Sequence, residues 1–459
     1  MARLTGAGEG RAFVLPVADR WLVHAPLEGV SALVNRAAVV KLLEQPPDGD
    51  GRLAELSSLI AGGAGSAPTP RDGPIEPLFL GLIPTRACNL RCVYCGFGSA
   101  SGGPQMDLRM AASLIDWMAS HARQSGRQTL DIHLFGGEPL AAGDVVEVAV
   151  HRARAAAAQH GLTLRLEIAT NGACDGQMAG FLGDYFDTVV LSFDGPREVH
   201  DRRRPGPGGR GSFEDVARTA RILCDSDTEL CYRTCVADDN VEKLGETVRW
   251  FCDEFPPATI DVETLQPTPE SEAAGLAPPD PYRFAIQFWR AGRLAAQYGV
   301  TANYAAAVRE TPRLSFCPVG NDALIVSPEG RVAACYLPER EWLDQGLDLY
   351  LGNFDAGTMT LDPVAVDRVR RLATRKPRCR DCFCQWSCAG GCHVHHAWDG
   401  KSRTYDDFCV QTRLITAFSL LEGLGAASMV DRLLDLPAAL ETLATQASDR
   451  LEHWEAAPE

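Results

Sequence analysis

Between residues 78 and 266 the chain repeats one pattern, a short apolar run followed by a longer stretch with helical spacing. The runs begin near 79, 130, 164, 188, 229 and 259, and the helical stretches between them include 108–121, 145–160, 213–223 and 241–251. Strands separated by helices pair side by side in the same direction, so the alternation predicts a parallel sheet with right-handed crossovers. Three runs end in turn-forming segments: Gly136-Gly137-Glu138-Pro139, Thr170-Asn171-Gly172 and Ser192-Phe193-Asp194-Gly195-Pro196. These fall on the carboxyl edge of the predicted sheet, where parallel α/β folds bind ligands.

Just beyond the first run stand Cys88, Cys92 and Cys95, spaced Cys-x3-Cys-x2-Cys. A structural zinc site closes its shell with four protein ligands, whereas a cubane of four irons held by three thiolates keeps one iron open for a small molecule. Taken alone, the triplet also fits an incomplete zinc site.

The triplet, the Gly-Gly-Glu-Pro segment and the later strand-end motifs, in this order, resemble the radical S-adenosylmethionine (SAM) enzymes. The resemblance implies an α/β fold, a partial (β/α)6 TIM-type barrel in place of a closed barrel of eight. It implies that Cys88, Cys92 and Cys95 hold a 4Fe-4S cluster whose fourth iron is chelated by the amino and carboxylate groups of SAM. Tyr94 would lie near the adenine, and Gly136, Gly137 and Glu138 would receive the methionine ammonium, a glycine pair allowing close main-chain approach. Asn171, Ser192 and Asp194 would contact the ribose and carboxylate, and Arg204 the carboxylate, although Asx and Ser residues at strand ends also serve as plain turn formers. The run from Arg202, Arg203 and Arg204 to Arg210, densely punctuated by Gly and Pro, reads as a solvated loop.

A second set of cysteines, Cys379, Cys382, Cys388 and Cys392, with Cys317 and Cys335 upstream and Cys409 downstream, resembles the SPASM extension of the same superfamily. That module usually carries two auxiliary iron-sulfur clusters. The resemblance assigns Cys379, Cys382, Cys388 and Cys409 to an outer cluster and Cys317, Cys335 and Cys392 to an inner one, which is left a ligand short. Asp322, Cys384, solvent and the substrate are all open for that place. His393, His395 and His396 follow Cys392 and suit hydrogen bonding to cluster ligands. The other cysteines, Cys174, Cys224, Cys231, Cys235 and Cys252, read as small core residues.

With 459 residues, 46% of them hydrophobic, the chain can bury more than one core. The expected division is an N-terminal α+β unit at 1–60, a Gly/Ala/Pro-rich linker at 61–77, the barrel at 78–300, a cysteine-rich iron-sulfur module at 301–415 and C-terminal helices at 416–459. No basic start leads into a long apolar run, so neither secretion nor a membrane span is expected. A reducing cytoplasm keeps thiolates available for iron. A net charge of −16 disfavours a nucleic-acid partner.

The patterns at 13–17, 21–24 and 30–35 resemble the leaders of peptide-maturing radical SAM enzymes, some of which carry a winged-helix unit that recognises a precursor peptide. A sheet with an open edge can take an extended peptide as a further strand. A plain packing extension fits the same residues. The implied activity is reductive cleavage of SAM to a 5′-deoxyadenosyl radical, fed by a reductant such as flavodoxin or ferredoxin, and hydrogen abstraction from a side chain of a ribosomally made precursor. The expected product is a carbon–carbon or thioether cross-link, since auxiliary clusters offer a path for the second electron that ring formation releases. Tyr336 is a candidate for proton or electron handling. Sulfatase-type maturation would want an aspartate directly after Cys335, where Tyr336 stands, and a small-molecule or cofactor-building radical enzyme is the remaining alternative.

Overall fold

The computed structural model describes residues 12–44, 51–62, 65–97, 102–308, 311–372, 377–396 and 405–454. Parts of the expected N-terminal unit (1–11 and 45–50), two residues of the expected linker (63–64) and the last five of the expected C-terminal helices (455–459) lie outside the described residues.

The polypeptide opens with an antiparallel three-stranded sheet, β1 (Phe13–Val17), β2 (Arg20–Ala25) and β3 (Val30–Val34), followed by helices Arg36–Glu44 and Arg52–Ala61. Alternate apolar residues of this sheet, including Val14, Val23 and Ala25, bury against Val39, Leu42, Leu56 and Ile60, and Leu451 from the far end of the chain completes that small core. β1 is also hydrogen-bonded from Val14 N–H to the carbonyl of Asp449, 2.7 Å.

The barrel strands are β4 (Leu80–Leu82), β5 (Thr129–Leu134), β6 (Thr163–Thr170), β7 (Thr188–Ser192), β8 (Glu229–Val236) and β9 (Thr259–Thr264). Each is parallel to the next and is followed by a helix: Leu108–Gln124, Gly143–His160, Gly176–Tyr185, Phe213–Cys224, Leu244–Glu254 and Pro281–Gln297. All six predicted run starts fall within a residue of an observed strand, and the partial (β/α)6 barrel is borne out. Helix boundaries follow local chemistry. Asp107 caps Leu108–Gln124 through the N–H groups of Arg109 and Met110, Asp175 caps Gly176–Tyr185 through Met178, and Gly161 ends Gly143–His160 in the left-handed conformation that glycine adopts freely.

Beyond the six, β10 (Thr301–Asn303) adds in parallel to β9, and β11 (Leu324–Val326) adds in parallel to β4 at the opposite side. From β11 the sheet continues antiparallel through β12 (Arg331–Ala333), β13 (Tyr350–Asp355) and β14 (Thr358–Leu361). The order β10-β9-β8-β7-β6-β5-β4-β11-β12-β13-β14 is open at both ends. The cysteine-rich part of the chain thus extends the barrel's own sheet. Helix Asp407–Gly423 packs on Pro281–Gln297 and carries buried Leu414, Phe418 and Leu421.

On barrel strands, Leu130, Ile132, Leu134, Leu166 and Ile168 join the main core with the helices. Residues between them turn the opposite face, where His133 Nε2 donates to Asp131 at 3.1 Å, and Arg233 and Asn303 reach Asp261 at 3.5 and 3.2 Å. The period-two alternation therefore gives the barrel an apolar wall and a polar lumen.

Asp322 has φ 61, and its carboxylate is held by Arg370 at 2.7 and 2.6 Å and by the N–H of Glu76 at 2.9 Å. Arg370 also donates to the carbonyls of Gly73 and Pro74, so this buried pair clamps the segment entering the barrel. Removing one partner of a buried pair strands the other charge. Arg370→Leu is expected to destabilise the protein by about 3–5 kcal/mol, read as a lower urea midpoint; an unchanged midpoint would show that the clamp contributes nothing.

Candidate active site

The loop after β4 carries Cys88, Cys92 and Cys95, all half-buried. It is fastened to the segment after β7 by two main-chain bonds, Arg91 N–H to Pro205 O (2.7 Å) and Val93 N–H to Arg203 O (2.9 Å). Burial raises the Cys88 thiol and pushes Cys92 up to about 12; Cys88 is raised further by Cys95, and Cys92 by Cys95 and Cys88. The N–H of Leu90 (3.4 Å) and the amide of Asn171 (3.7 Å) both donate to the Cys88 sulfur. Asn171 thereby sits at the cluster loop, where it also bonds Asn89 at 2.8 Å.

Gly136 and Gly137 lie against the chain just before Cys88. A Cβ on Gly136 would stand 2.7 Å from the carbonyl oxygen of Thr85, and one on Gly137 would collide with the carbonyl oxygens of Arg86 and Ala87. Close approach was expected toward a ligand; the structure shows it first toward the polypeptide itself. The N–H groups of Gly137 and Glu138 then bond Thr85 O (3.1 Å) and Ala87 O (2.8 Å). The buried Glu138 carboxylate accepts from Leu140 N–H (3.1 Å), Thr170 Oγ1 (2.6 Å) and Asn171 N–H (2.7 Å), joining the ends of β5 and β6. Burial raises its pKa, opposed by these donors.

At the end of β7, Asp194 is fully buried and accepts from Tyr94 Oη (2.5 Å), Arg204 Nε (2.9 Å), Arg204 Nη2 (3.4 Å) and Cys235 N–H (3.1 Å). Arg204 in turn lies over the Tyr94 ring at 5.4 Å. Burial would raise Asp194, but Arg204 outweighs it and the carboxyl is held below its usual range. Ser192 stands at the end of β7, paired in register with Arg233. His200, pushed down to about 4 by burial, lies between Asp194 N–H (3.4 Å) and Ser212 Oγ (3.1 Å).

The arginine run is corrected here. Arg197–Arg203 is a helix, Arg203 is buried with Nη1 on Cys235 O at 2.7 Å, and Arg204 is the buried partner of Asp194. Gly and Pro density marked the following turn, whereas burial was decided by contacts with β7 and β8, remote in sequence.

Cys379, Cys382, Cys388 and Cys409 line one cavity together with Cys384, Tyr405 and Arg413. Cys384 hydrogen-bonds Cys382, which with Arg413 nearby lies down at about 7 despite burial. Arg413 Nη1 reaches the Cys382 sulfur at 3.5 Å and is itself paired with buried Asp449, whose carboxylate also accepts from Phe383 N–H at 3.0 Å. Cys384 therefore belongs to the outer group. In the inner group, burial pushes Cys335 up to about 12, with Cys317, Cys392 and Glu341 adding to the rise. Of the residues left open from the sequence for the inner group, Cys384 lines the cavity of the outer thiols and the Asp322 carboxylate is paired with Arg370.

The three histidines separate. His393 Nε2 lies 3.3 Å from Ser315 Oγ, and the His396 ring packs edge-on to Phe408 at 3.8 Å. His395 bonds both the Cys392 sulfur and Glu341; burial pulls it down, but these two partners hold it up at about 9. Tyr336 follows Cys335 onto the barrel face, with its ring 4.9 Å from Phe135. Its hydroxyl is buried against Gly81 without a hydrogen-bond partner among the described residues, and burial raises its pKa well above the usual phenol value.

Among the described residues no three His, Cys, Asp or Glu side chains converge on a single metal-ion position. The lumen residues His133, Glu167, Arg233, Asp261 and Glu263 were not singled out from the sequence, although apolar–polar alternation in β5, β6, β8 and β9 carried the signal. Burial pushes Glu263 up to about 7.

An open parallel barrel carries three thiols at its carboxyl edge, beside a carboxylate-braced glycine pair. Residues 82–251 match the Radical SAM superfamily, and the chain carries a Radical SAM domain. It is 25% identical over 181 residues to a cysteine-type anaerobic sulfatase-maturating enzyme of Clostridium perfringens, covering 39% of this chain and 49% of that one. A PqqA peptide cyclase of Methylorubrum extorquens is 36% identical over 88 residues, covering 18% of this chain and 22% of that one. The chain thus spans about half the length or less of these curated relatives. Among solved structures, native anSMEcpe with bound AdoMet superposes with a TM-score of 0.58 at 18% identity, covering 78% of this chain and 100% of that one. Streptococcus suis SuiB bound to S-adenosylmethionine gives 0.52 at 12%, covering 84% and 95%. These superpositions establish the shared fold. A Radical SAM domain implies SAM and a 4Fe-4S cluster, and the Cys88, Cys92 and Cys95 site fits them.

Two outcomes follow. Gly137→Ala must push main chain away from Arg86 and Ala87, so iron bound after anaerobic reconstitution should fall severalfold, while Gly143→Ala, which meets only Met178 at 3.4 Å, should bind iron normally. Arg204→Met leaves Asp194 buried and unpaired, at a cost of about 3–5 kcal/mol. Because the Asp194 pKa is depressed on folding, its contribution is present above about pH 4 and is lost as pH falls through the lower folded value. Urea midpoints of Asp194→Asn should accordingly lose part of the acid-side pH dependence of the unsubstituted protein.

Proposed function

We propose that the protein is a radical SAM maturase that takes hydrogen from a side chain of a ribosomally made precursor peptide and installs a carbon–carbon or thioether cross-link. The observation that carries this reading is the continuation of the barrel sheet past β4 into β11 and β12, which ties the turn carrying Cys335 to the same sheet as the strand leading to Cys88. One electron-transfer site at the barrel mouth and a second thiol group in the same sheet suit a reaction that both starts and ends with electron transfer.

When bound, SAM and its cluster supply a 5′-deoxyadenosyl radical by reductive cleavage. The protein's part is placement and exclusion of water. Arg204, Asp194 and Tyr94 hold the cysteine loop, and Asn171 and Glu138 brace its other side. Gly136, Gly137, Glu138, Asn171, Ser192, Asp194 and Arg204 form the rim on which SAM is proposed to rest. Tyr336, kept as the phenol, is proposed to face the reacting side chain from the lumen wall. Cys379, Cys382, Cys388 and Cys409, and Cys317, Cys335 and Cys392, are proposed to hold outer and inner auxiliary clusters.

A peptide substrate is supported by a cavity of about 640 Å³ that runs from Arg233, Asp261 and Glu263 past edge strand β10 to Trp289 and Glu422. It is supported also by the anSMEcpe structure that holds AdoMet with the Kp18Cys peptide, TM-score 0.59. The N-terminal unit offers β3 as an open edge for an extended precursor. No described helix is long and apolar enough to cross a membrane, and a cytoplasmic setting with a flavodoxin or ferredoxin as reductant fits cysteines that form no disulfide among the described residues.

The test is anaerobic reconstitution with SAM, dithionite and a short peptide encoded beside this gene. The expected result is 5′-deoxyadenosine together with a peptide lighter by two hydrogens and linked between side chains, both abolished by replacing Cys88, Cys92 and Cys95 with alanine. Absence of 5′-deoxyadenosine would remove the enzyme reading. An oxidised residue without a link would favour sulfatase-type maturation, and turnover without any peptide change a small-molecule reaction.

A further inference from the structure

Glu341 lies in the short helix Glu339–Leu343, which is anchored by buried Trp342 with its Nε1 on Leu337 O at 3.1 Å. One Glu341 oxygen presses against Gly96, the residue after Cys95, so closely that a Cβ there would collide with it. The other accepts from His395 Nε2 at 3.0 Å. His395 in turn hydrogen-bonds the sulfur of Cys392 through its side chain, and its own N–H points at the same sulfur at 3.5 Å. The order Cys95, Gly96, Glu341, His395, Cys392 is thus a continuous run of bonds and contacts from the SAM-type thiols to the inner group. His395 stands between the Glu341 carboxylate and the Cys392 sulfur.

We infer that Glu341 and His395 act as a positioning pair that sets the reduction potential of the inner auxiliary cluster through Cys392, and that locks its ligand loop to the loop of the SAM-type cluster. An N–H donated to a ligand sulfur stabilises the more negative, reduced cluster and raises its potential, and the carboxylate behind the imidazole fixes ring orientation. The inference rests on the reading of Cys317, Cys335 and Cys392 as cluster ligands.

An EPR-monitored redox titration of the full, anaerobically reconstituted chain tests it. In His395→Leu the inner-cluster midpoint should fall enough to change the reduced-to-oxidised ratio at least tenfold at fixed potential, about 59 mV for one electron, with the outer-cluster midpoint and iron content unchanged. Glu341→Gln should shift the same midpoint in the same direction by less. An inner midpoint that stays put in both variants overturns the inference. In unsubstituted protein labelled with nitrogen-15 histidine, weak hyperfine coupling is expected; the strong coupling of nitrogen bonded to iron would make His395 a ligand and also overturn it. If His395→Leu does not fold, the glutamine variant and the isotope measurement decide. A wild-type protein without an inner-cluster signal would instead refute the auxiliary-cluster reading on which this one stands.

Discussion

The mouth of the barrel depends on one buried ion pair. Asp194 has no access to water, and a carboxylate there would be prohibitively desolvated without Arg204 across from it. With the pair in place, Tyr94 gains an acceptor, Cys235 N–H gains another, and residues 203–205 present the two carbonyls that hold Arg91 and Val93. The cysteine loop has little regular structure of its own. Its shape is borrowed from the strand ends around Asp194 and Glu138.

The barrel was legible because its strands obey a simple rule, apolar residues toward the helices and a turn at each carboxyl end. The short strands were not. β10, β11 and β12 span Thr301–Asn303, Leu324–Val326 and Arg331–Ala333, too few residues to show a period, and they are strands only because the barrel edges offer unpaired backbone. The site was legible where chemistry depends on local spacing, as for Cys88, Cys92 and Cys95, and illegible where it depends on distant partners. Arg203 looked solvated in a Gly/Pro-rich run but is buried, with its guanidinium on the carbonyl of Cys235. Asp322 looked available to a cluster but is spent on Arg370. Glu341 carried no motif at all, and its role emerges only when residue 96 and residue 395 are brought to it by the fold.

Sheet continuity ties segments that carry two cysteine groups far apart in sequence to one framework. A separate module on a flexible tether would leave the distance between thiol groups variable. Here β11 pairs with β4 in fixed register, Leu324 opposite Leu80 and Val326 opposite Leu82, and β12 carries that register on to the turn at Cys335. Arg413 serves the outer group similarly, filling its fork with Asp449 and two main-chain carbonyls while pointing its remaining donor at Cys382.

Asp449 has one further consequence. Its side chain backs the outer thiol cavity and its carbonyl accepts from β1, while Leu451 fills the small core beneath the first sheet. A growing polypeptide on the ribosome can assemble the six barrel units as they emerge, but its opening sheet must wait, unfinished, for nearly the whole remaining sequence to be translated. Order around the outer thiol cavity is therefore coupled to the docking of residues 449–451 on the first sheet.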